Sequence, residues 1–315
     1  MKIVFLDEST ITRGDMDFSC FEALGTYVGY PLSDEAEIIE RAAGADAVIA
    51  NKALINRRVL DSLPNLRMVG VIATGYNNID LDSAREKGVR VCNVAGYAAN
   101  SVPQHTFALI LNLASRVYRY DADVRAGDWQ QAPIFTLLSY PTFELAGKTL
   151  GIVGFGTIGK NVARIAEAFL MNVLAYDAFG IKDDMYPNID MDTLLAESDI
   201  VTLHCPLTED TRNLIDEDAI AKMKRTAMII NTARGGIIDE PALAGALNNG
   251  RLAGAGIDVV EEEPPKNGNV LFTAQNCVLT PHAAWSTVEA RQKLVDETAE
   301  NIKAFSEGGE RNVIV

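Results

Sequence analysis

Residues 149–169 read TLGIVGFGTIGKNVARIAEAF and contain the most informative structural pattern of the chain. An apolar run typical of a buried strand leads directly into Gly154-x-Gly156-x-x-Gly159. Beyond the turn, apolar side chains at helical spacing form one stripe: Ile158, Val162, Ile165, Ala166 and Phe169. A strand, a glycine turn and a helix in this order let the backbone approach a pyrophosphate and aim helix N–H groups at its charge. The context predicts a dinucleotide-binding turn; a merely tight structural turn is the alternative.

An acidic residue, Asp177, stands eighteen residues after Gly159, at the end of the next predicted strand. An acid at about this distance accepts a hydrogen bond from the ribose 2′-hydroxyl of NAD, and its charge would repel a 2′-phosphate. Ala178 and Phe179 follow it without an arginine, and Lys182 is the nearest base. We therefore expect NAD as the cofactor, with a solvated loop acid as the alternative.

Short apolar runs rich in β-branched residues recur along the chain and alternate with helical patterns. They are apolar on both faces, which is typical of parallel strands covered by helices. A predicted helix at 102–116 separates two series of runs: 2–6, 47–50, 68–73 and 89–93, then 149–153, 172–176, 200–203, 227–231, 253–258 and 277–280. This alternation predicts an α/β fold with two doubly wound parallel sheets. Another helix is expected at 287–307.

Length and charge limit the classes of function. A chain of 315 residues predicts about two domains. The formal net charge of −15 argues against binding to nucleic acid or to an anionic membrane surface. The N-terminus shows no signal peptide, and the longest apolar stretch, 107–114, is too short for a membrane helix. We expect a cytoplasmic protein without a metal site.

Candidate catalytic side chains follow the predicted strands of the second series. Of the three histidines, His282 leaves a strand end after Pro281, His204 ends another strand, and His105 lies inside the predicted helix at 102–116. His282 is the best candidate for acid–base chemistry, although a structural role is the alternative. Arg234 precedes a double glycine and could hold a carboxylate bidentately. The three glutamates of GIDVVEEEPP leave open which one could orient an imidazole.

Together, GFGTIG, Asp177, HCPLTEDT, NTARGGIIDE, GIDVVEEEPP and TPHAAW resemble the motifs of the D-2-hydroxyacid dehydrogenase family. The resemblance covers essentially the whole chain. The stretches NKALI, YNNIDLDSAREKGV and SVPQHTFALIL are most similar to the glycerate dehydrogenase (hydroxypyruvate reductase) branch. The resemblance implies two Rossmann-like domains: a flavodoxin-like substrate domain formed by residues 1–98 and 287–315, and an NAD-binding domain formed by residues 99–286.

The resemblance also assigns site residues. Arg234, Glu263 and His282 match the catalytic residues of the family, with Arg234 and His282 also contacting the substrate. Lys52, Thr74 and Gly75 match positions at the substrate cleft. Besides the three glycines and Asp177, the implied cofactor contacts are Thr106, Thr157, Ile158, Cys205, Pro206, Thr211, Thr232, Ala233 and Asp258.

The activity that the resemblance implies is NAD-dependent reduction of a small 2-keto acid to the D-2-hydroxy acid. Hydroxypyruvate is the expected substrate and glyoxylate the nearest competitor. Phosphoglycerate dehydrogenase, D-lactate dehydrogenase and an NAD-binding corepressor-like protein without turnover are the alternatives. Relatives form homodimers, and the segment 116–141, with Trp129 and Phe135, resembles the arm that embraces the partner. One departure affects turn geometry: Leu170 stands where relatives often place glycine.

Overall fold

The structure is a computed structural model that describes residues 1–315. The chain divides into two compact units, one containing Met1–Ala98 and Trp285–Val315 and the other containing Ala99–Ala284. The boundary expected from the sequence, between residues 286 and 287, differs from this division by two residues. The Trp285 ring packs edge-on against Tyr97 of the same unit, with 6.3 Å between the ring centroids.

The first unit is built on a five-stranded parallel sheet with the order β2-β1-β3-β4-β5. Alternate residues of a strand face opposite sides, so that Val4 and Val48 belong to one apolar cluster and Ile3 and Ile49 to another. Both faces of the sheet are thus covered. Its first elements are β1 (Lys2–Phe5), α1 (Ser19–Glu22), β2 (Thr26–Gly29), α2 (Glu35–Arg41), β3 (Ala47–Ala50), α3 (Arg57–Ser62), β4 (Met68–Val71), α4 (Leu81–Glu86) and β5 (Arg90–Cys92).

The edge strand β2 is not among the predicted strands. It has four residues, none of them buried, and it ends in Gly29. Because none of its residues is buried, β2 lacks the continuous apolar run that is typical of a buried parallel strand, and its sequence carries little signal. The four predicted strands of this unit correspond to β1, β3, β4 and β5.

The second unit contains a six-stranded parallel sheet with the order β11-β10-β9-β8-β6-β7. All six strands match predicted runs to within two residues at each end. Its elements are α5 (Ser101–Ser115), α6 (Val117–Ala126), β6 (Thr149–Val153), α7 (Thr157–Ala168), β7 (Asn172–Tyr176), α8 (Met191–Glu197), β8 (Ile200–Leu203), α9 (Glu217–Lys222), β9 (Met228–Asn231), α10 (Glu240–Asn248), β10 (Gly254–Ile257) and β11 (Cys277–Leu279). The predicted α/β fold with two parallel sheets is confirmed.

The strand order fixes where a ligand of the second unit would bind. Strand β6 lies in the sheet between β7 and β8. The chain passes from β6 to β7 on one side and then returns to β8 on the other side, so the direction of winding reverses at β6. In doubly wound sheets such a switch point opens a crevice at the carboxyl ends of the strands. The glycine turn at 154–159 begins at the carboxyl end of β6 and therefore lies at this crevice.

The last helix, α11 (Val288–Ser306), belongs to the first unit. Thr287 caps it by accepting a hydrogen bond from the Ala290 N–H at 3.2 Å. Its buried side chains Leu294, Val295 and Ile302 join the same cluster as Ile3. None of the helices combines the length and apolar character needed to cross a bilayer.

Leu170, the departure noted in the sequence, has a left-handed backbone with φ 58°. Its N–H donates to the Glu167 carbonyl at 2.8 Å, and its carbonyl accepts from the Gly147 N–H at 2.9 Å. The turn is therefore held in a conformation that suits glycine, while the leucine side chain is 73% exposed.

We expect Leu170→Gly to stabilise the protein by about 1 kcal/mol, since it removes the steric cost of a left-handed non-glycine residue and little buried surface. Ala168→Gly is the matched control: it places glycine at an exposed helical position, which should cost about 0.5 to 1 kcal/mol. Thermal and urea unfolding would measure both variants. A lower midpoint for Leu170→Gly would contradict the expected strain.

Candidate active site

The glycine turn fits a pyrophosphate. Gly154 has φ 93°, and a Cβ there would lie 2.6 Å from the Cys205 nitrogen, so only glycine lets the turn pass this close to the end of β8. A Cβ at Gly156 would meet no atom within 4 Å. Gly156 precedes α7, and no side chain caps that helix. The first N–H groups of a helix have no intrahelical partners, so this end can receive an anion.

The Asp177 carboxylate is fixed beside this turn at the end of β7. Its Oδ2 accepts from the Phe155 N–H at 2.9 Å and its Oδ1 accepts from the Phe179 N–H at 3.0 Å. Each carboxylate oxygen has a second acceptor position, which a ribose hydroxyl could use. The geometry of the turn and this acid together suits an adenine dinucleotide.

The remaining expected cofactor residues lie in three groups. Thr106 and Thr232 are buried and their hydroxyls contact each other at 3.0 Å. The Thr211 hydroxyl donates to the Pro206 carbonyl at 2.7 Å, which shapes the loop after β8. Burial raises the pKa of the neighbouring Cys205 thiol to about 11, so Cys205 stays a neutral packing group. Thr157 and Ile158 begin α7, and Ala233 follows β9.

The three expected catalytic residues follow three neighbouring strands. Arg234 comes after β9, Glu263 after β10 and His282 after β11, and these strands are adjacent in the order β11-β10-β9. Because all three strands are parallel, their carboxyl ends lie at the same edge of the sheet. The fold therefore brings the three side chains to one edge.

The His282 imidazole forms a hydrogen bond with the Glu263 carboxylate, with 2.6 Å between Nδ1 and Oε2. The other carboxylate oxygen, Oε1, accepts from the Val260 N–H at 3.1 Å. Because an ionised carboxylate only accepts, the Nδ1 proton lies toward Glu263 and Nε2 is the nitrogen that this pair leaves for another partner. The sequence left three glutamates open; Glu261 pairs with Arg212 instead, at 3.0 Å.

The backbone around His282 is held by Asp258. His282 has φ 52°, and its N–H donates to the Asp258 carbonyl at 2.7 Å. The N–H groups of Ala283 and Ala284 donate to the two carboxylate oxygens of Asp258, at 2.8 and 2.9 Å. Burial opposes ionisation of this carboxyl, yet the hydrogen bonds it accepts outweigh burial and lower its pKa. Asp258, predicted as a cofactor contact, thus supports the histidine turn.

The Arg234 turn is held by Asn231, which the sequence analysis did not single out. Asn231 accepts from the Ala233 N–H at 3.0 Å and donates from Nδ2 to the Arg234 carbonyl at 2.8 Å. A Cβ at Gly235 would lie 1.9 Å from the Val260 carbonyl oxygen. Only glycine lets the arginine turn touch the loop that carries Glu263. Arg234 is exposed, and its Nη1 donates to the Ala233 carbonyl at 2.7 Å.

His204, unlike His282, has no hydrogen-bond partner for its imidazole ring. Both of its ring nitrogens are buried without a hydrogen-bond partner. Burial lowers its pKa to about 3, so the imidazole is neutral at physiological pH. A neutral ring with no partner for either nitrogen suits packing rather than acid–base chemistry.

The predicted substrate residues of the first unit lie on two loops that buried polar side chains hold. The buried Asp7 carboxylate accepts from the N–H groups of Asn51, Lys52 and Ala53, at 2.9, 2.6 and 2.8 Å. The Asp7 carboxylate fixes the backbone of Lys52 and does not contact the ammonium group of the Lys52 side chain. Sequence reasoning missed Asp7, although its place directly after β1 is a signal that could have identified it.

The backbone at Thr74, which precedes Gly75, is held by Asn93, and Asn93 is held in turn by Asn301. Asn93 donates from Nδ2 to the Thr74 carbonyl at 2.7 Å, and Asn301 of α11 donates to the Asn93 carbonyl at 2.9 Å. Both asparagines are at least nine-tenths buried. They connect the last helix to the 74–75 loop within the first unit.

Comparison with known proteins identifies the family. The sequence profile of the D-isomer specific 2-hydroxyacid dehydrogenase, NAD binding domain, matches residues 107–284. The chain is 41% identical to a hydroxypyruvate reductase of Blautia hydrogenotrophica over 100% of this chain and 99% of that protein. It is 42% identical to a glycerate dehydrogenase of Methylorubrum extorquens over 99% of this chain and 98% of that protein.

Solved structures agree with this result. The crystal structure of the TT0316 protein from Thermus thermophilus superimposes with a TM-score of 0.90 and 33% identity, covering 100% of both chains. The matched family domain includes the glycine turn, Asp177 and the three candidate catalytic residues. The chain belongs to the D-isomer specific 2-hydroxyacid dehydrogenase family, and its second unit is an NAD-binding domain.

Proposed function

We propose that this protein reduces hydroxypyruvate to D-glycerate with NADH, using His282 as the general acid and Arg234 to bind the substrate carboxylate. The observation that carries the proposal is the pair of Glu263 and His282 at the same sheet edge as Arg234. Reduction of a 2-keto acid requires a proton for the forming alkoxide and a cation for the carboxylate. These three side chains supply both.

The proton comes from Nε2 of His282. Glu263 accepts from Nδ1 at 2.6 Å, which orients the ring. After the proton transfer, the same carboxylate holds the neutral ring in the tautomer with hydrogen on Nδ1. Reprotonation of Nε2 from solvent would prepare the next turnover, since the side chain of His282 is 30% exposed.

Arg234 positions the substrate. Its planar guanidinium can donate two parallel hydrogen bonds to a carboxylate, which fixes both distance and orientation. Asn231 and the close approach at Gly235 restrain the turn on which it lies. Misplacement by about 1 Å can cost roughly a hundredfold in rate, so a rigid turn matters here.

The dinucleotide would be held by the glycine turn and Asp177, with Thr106, Thr157, Ile158, Cys205, Pro206, Thr211, Thr232, Ala233 and Asp258 as the further proposed contacts. When bound, NADH supplies the hydride.

Hydroxypyruvate is favoured as substrate by two features. The relatives with about 41% identity over the whole chain are named hydroxypyruvate reductase and glycerate dehydrogenase. Lys52, Thr74 and Gly75 are the proposed substrate contacts of the first unit, and backbone N–H groups together with the Lys52 ammonium could donate to a short polar substituent. Pyruvate would leave the partner of the hydroxymethyl group unpaired, which costs about 1 to 3 kcal/mol.

An NADH-oxidation assay with hydroxypyruvate, glyoxylate, pyruvate and phosphohydroxypyruvate tests the function. We expect kcat/KM for hydroxypyruvate to exceed that for pyruvate by about tenfold to a hundredfold, with glyoxylate as the nearest competitor. A higher kcat/KM with pyruvate or phosphohydroxypyruvate would reject the proposed substrate and leave the reaction class intact. Absence of turnover with all four acids would favour a binding protein of the corepressor kind.

Cofactor choice should depend on the charge of Asp177. We expect the protein to prefer NADH clearly over NADPH, because the carboxylate repels a 2′-phosphate. Asp177→Asn keeps an acceptor for the Phe155 N–H and should reduce the preference for NADH over NADPH. Asp177→Ala should reduce this preference and also weaken NADH binding. The measurement is kcat/KM with each cofactor. Equal use of NADH and NADPH by the unmodified protein would refute this assignment.

We further propose that the protein is a homodimer that uses the arm 116–141. Several large apolar side chains of this arm are exposed, among them Phe135 at 89% and Leu138 at 82%. The Trp129 indole donates to the Phe135 carbonyl at 2.9 Å, which folds the end of the arm on itself. A cluster of exposed apolar side chains on one segment is typical of a surface that a partner covers.

Sedimentation tests the assembly. The unmodified protein should sediment as a dimer, and the double variant Phe135→Asp, Leu138→Asp should shift toward the monomer. Leu32→Asp is the matched control, because Leu32 is 62% exposed but lies outside the arm. A monomeric unmodified protein, or equal effects of the control and the arm variant, would contradict the proposal.

A further inference from the structure

His105 is the one histidine that the proposed mechanism does not use and that has partners of its own. It lies in α5, and its side chain is 23% exposed. Its Nε2 is 2.9 Å from the Thr280 hydroxyl oxygen and 3.4 Å from Oδ1 of Asp258. Thr280 is the residue two positions before His282. His105 therefore contacts Thr280 and Asp258, the two residues whose side chains hold the turn that carries His282.

The protons in this group can be assigned. The Thr280 hydroxyl is 2.5 Å from Oδ1 of Asp258. Asp258 is ionised, since the hydrogen bonds that it accepts outweigh burial and lower its pKa. An ionised carboxylate only accepts, so the single hydroxyl proton of Thr280 points to Asp258. Nε2 of His105 must then donate to the Thr280 oxygen, and the hydrogen bonds run from His105 through Thr280 to Asp258.

Asp258 receives three hydrogen bonds from the backbone of the His282 turn. Its carbonyl accepts from the His282 N–H, and its carboxylate accepts from the N–H groups of Ala283 and Ala284. The Thr280 hydroxyl fixes the chain just before the turn. The left-handed conformation of His282 is unfavourable for a non-glycine residue, so these contacts are what maintain it.

We propose that His105 is a positioning residue: by donating to Thr280 it holds the Thr280–Asp258 pair and thereby the turn that aims His282. The inference rests on the proposed role of His282 as the general acid. His105 itself moves no proton in the reaction. Its contribution is to reduce the number of orientations that the His282 ring can adopt, and a loss of alignment appears in the rate of the chemical step.

The variants separate this role from general destabilisation. His105→Met fills a similar space without a donor, whereas His105→Gln keeps an N–H donor on a side chain of comparable reach. Thr280→Val removes the hydroxyl and conserves the shape, so it breaks the same chain of hydrogen bonds from the other side. If His105→Met does not fold, Thr280→Val tests the same connection.

The measurements are kcat and KM for hydroxypyruvate and the Kd for NADH, in the full-length protein. We expect His105→Met and Thr280→Val to lower kcat by about tenfold to a hundredfold with an unchanged Kd for NADH. His105→Gln should recover most of kcat. In a His282→Ala background, His105→Met should have no further effect on the residual kcat, since it acts through His282.

Two results would overturn the inference and leave the proposed function standing: an unchanged kcat in His105→Met and in Thr280→Val, or an additive effect of His105→Met in the His282→Ala background. A weaker Kd for NADH with normal kcat would identify His105 as a cofactor contact and would also overturn it. If His282→Ala itself retained full activity, the proposed function and this inference would both be wrong.

Discussion

A buried carboxylate, Asp258 at the end of β10, is the constraint on which the proposed active site depends. An ionised group in the interior must be satisfied by hydrogen bonds, and the donors here are the N–H groups and the hydroxyl of the turn that carries His282. If the turn moved away, the buried Asp258 carboxylate would lose these hydrogen bonds. His282 is thus fixed by the cost of leaving Asp258 unpaired, and Glu263 then fixes the ring.

The parallel sheet extends this constraint to the other chemical groups. Strands β9, β10 and β11 are neighbours, so the loops that follow them carry Arg234, Glu263 and His282 to one edge. Gly235 lets the first two loops touch. On the opposite side of β8, the glycine turn after β6 forms the proposed pyrophosphate site at the same edge. Cofactor and catalytic groups therefore share one edge because every strand of the second unit runs in the same direction.

Much of this arrangement is predictable from sequence, because buried parallel strands and glycine turns leave local patterns. The run 149–169 predicts its strand, turn and helix, and the apolar runs predict the strands of both sheets except β2. Contacts between distant residues leave no such pattern. Nothing near Asp258 indicates that it holds residues 282–284, and nothing near His105 indicates its contact with Thr280, 175 positions away. The choice among three glutamates likewise needed either the family resemblance or the observed 2.6 Å contact.

The rate of hydroxypyruvate reduction in Glu263→Ala and Glu263→Gln tests most directly whether the carboxylate of Glu263 orients His282 as the general acid. Glutamine keeps an oxygen that can accept from Nδ1, whereas alanine leaves Nδ1 without this partner. We expect Glu263→Ala to lower kcat by about tenfold to a hundredfold and Glu263→Gln to recover part of that loss, with an unchanged Kd for NADH in both variants. A kcat of Glu263→Ala equal to that of the unmodified protein, with chemistry rate-limiting in both, would show that Glu263 does not orient His282.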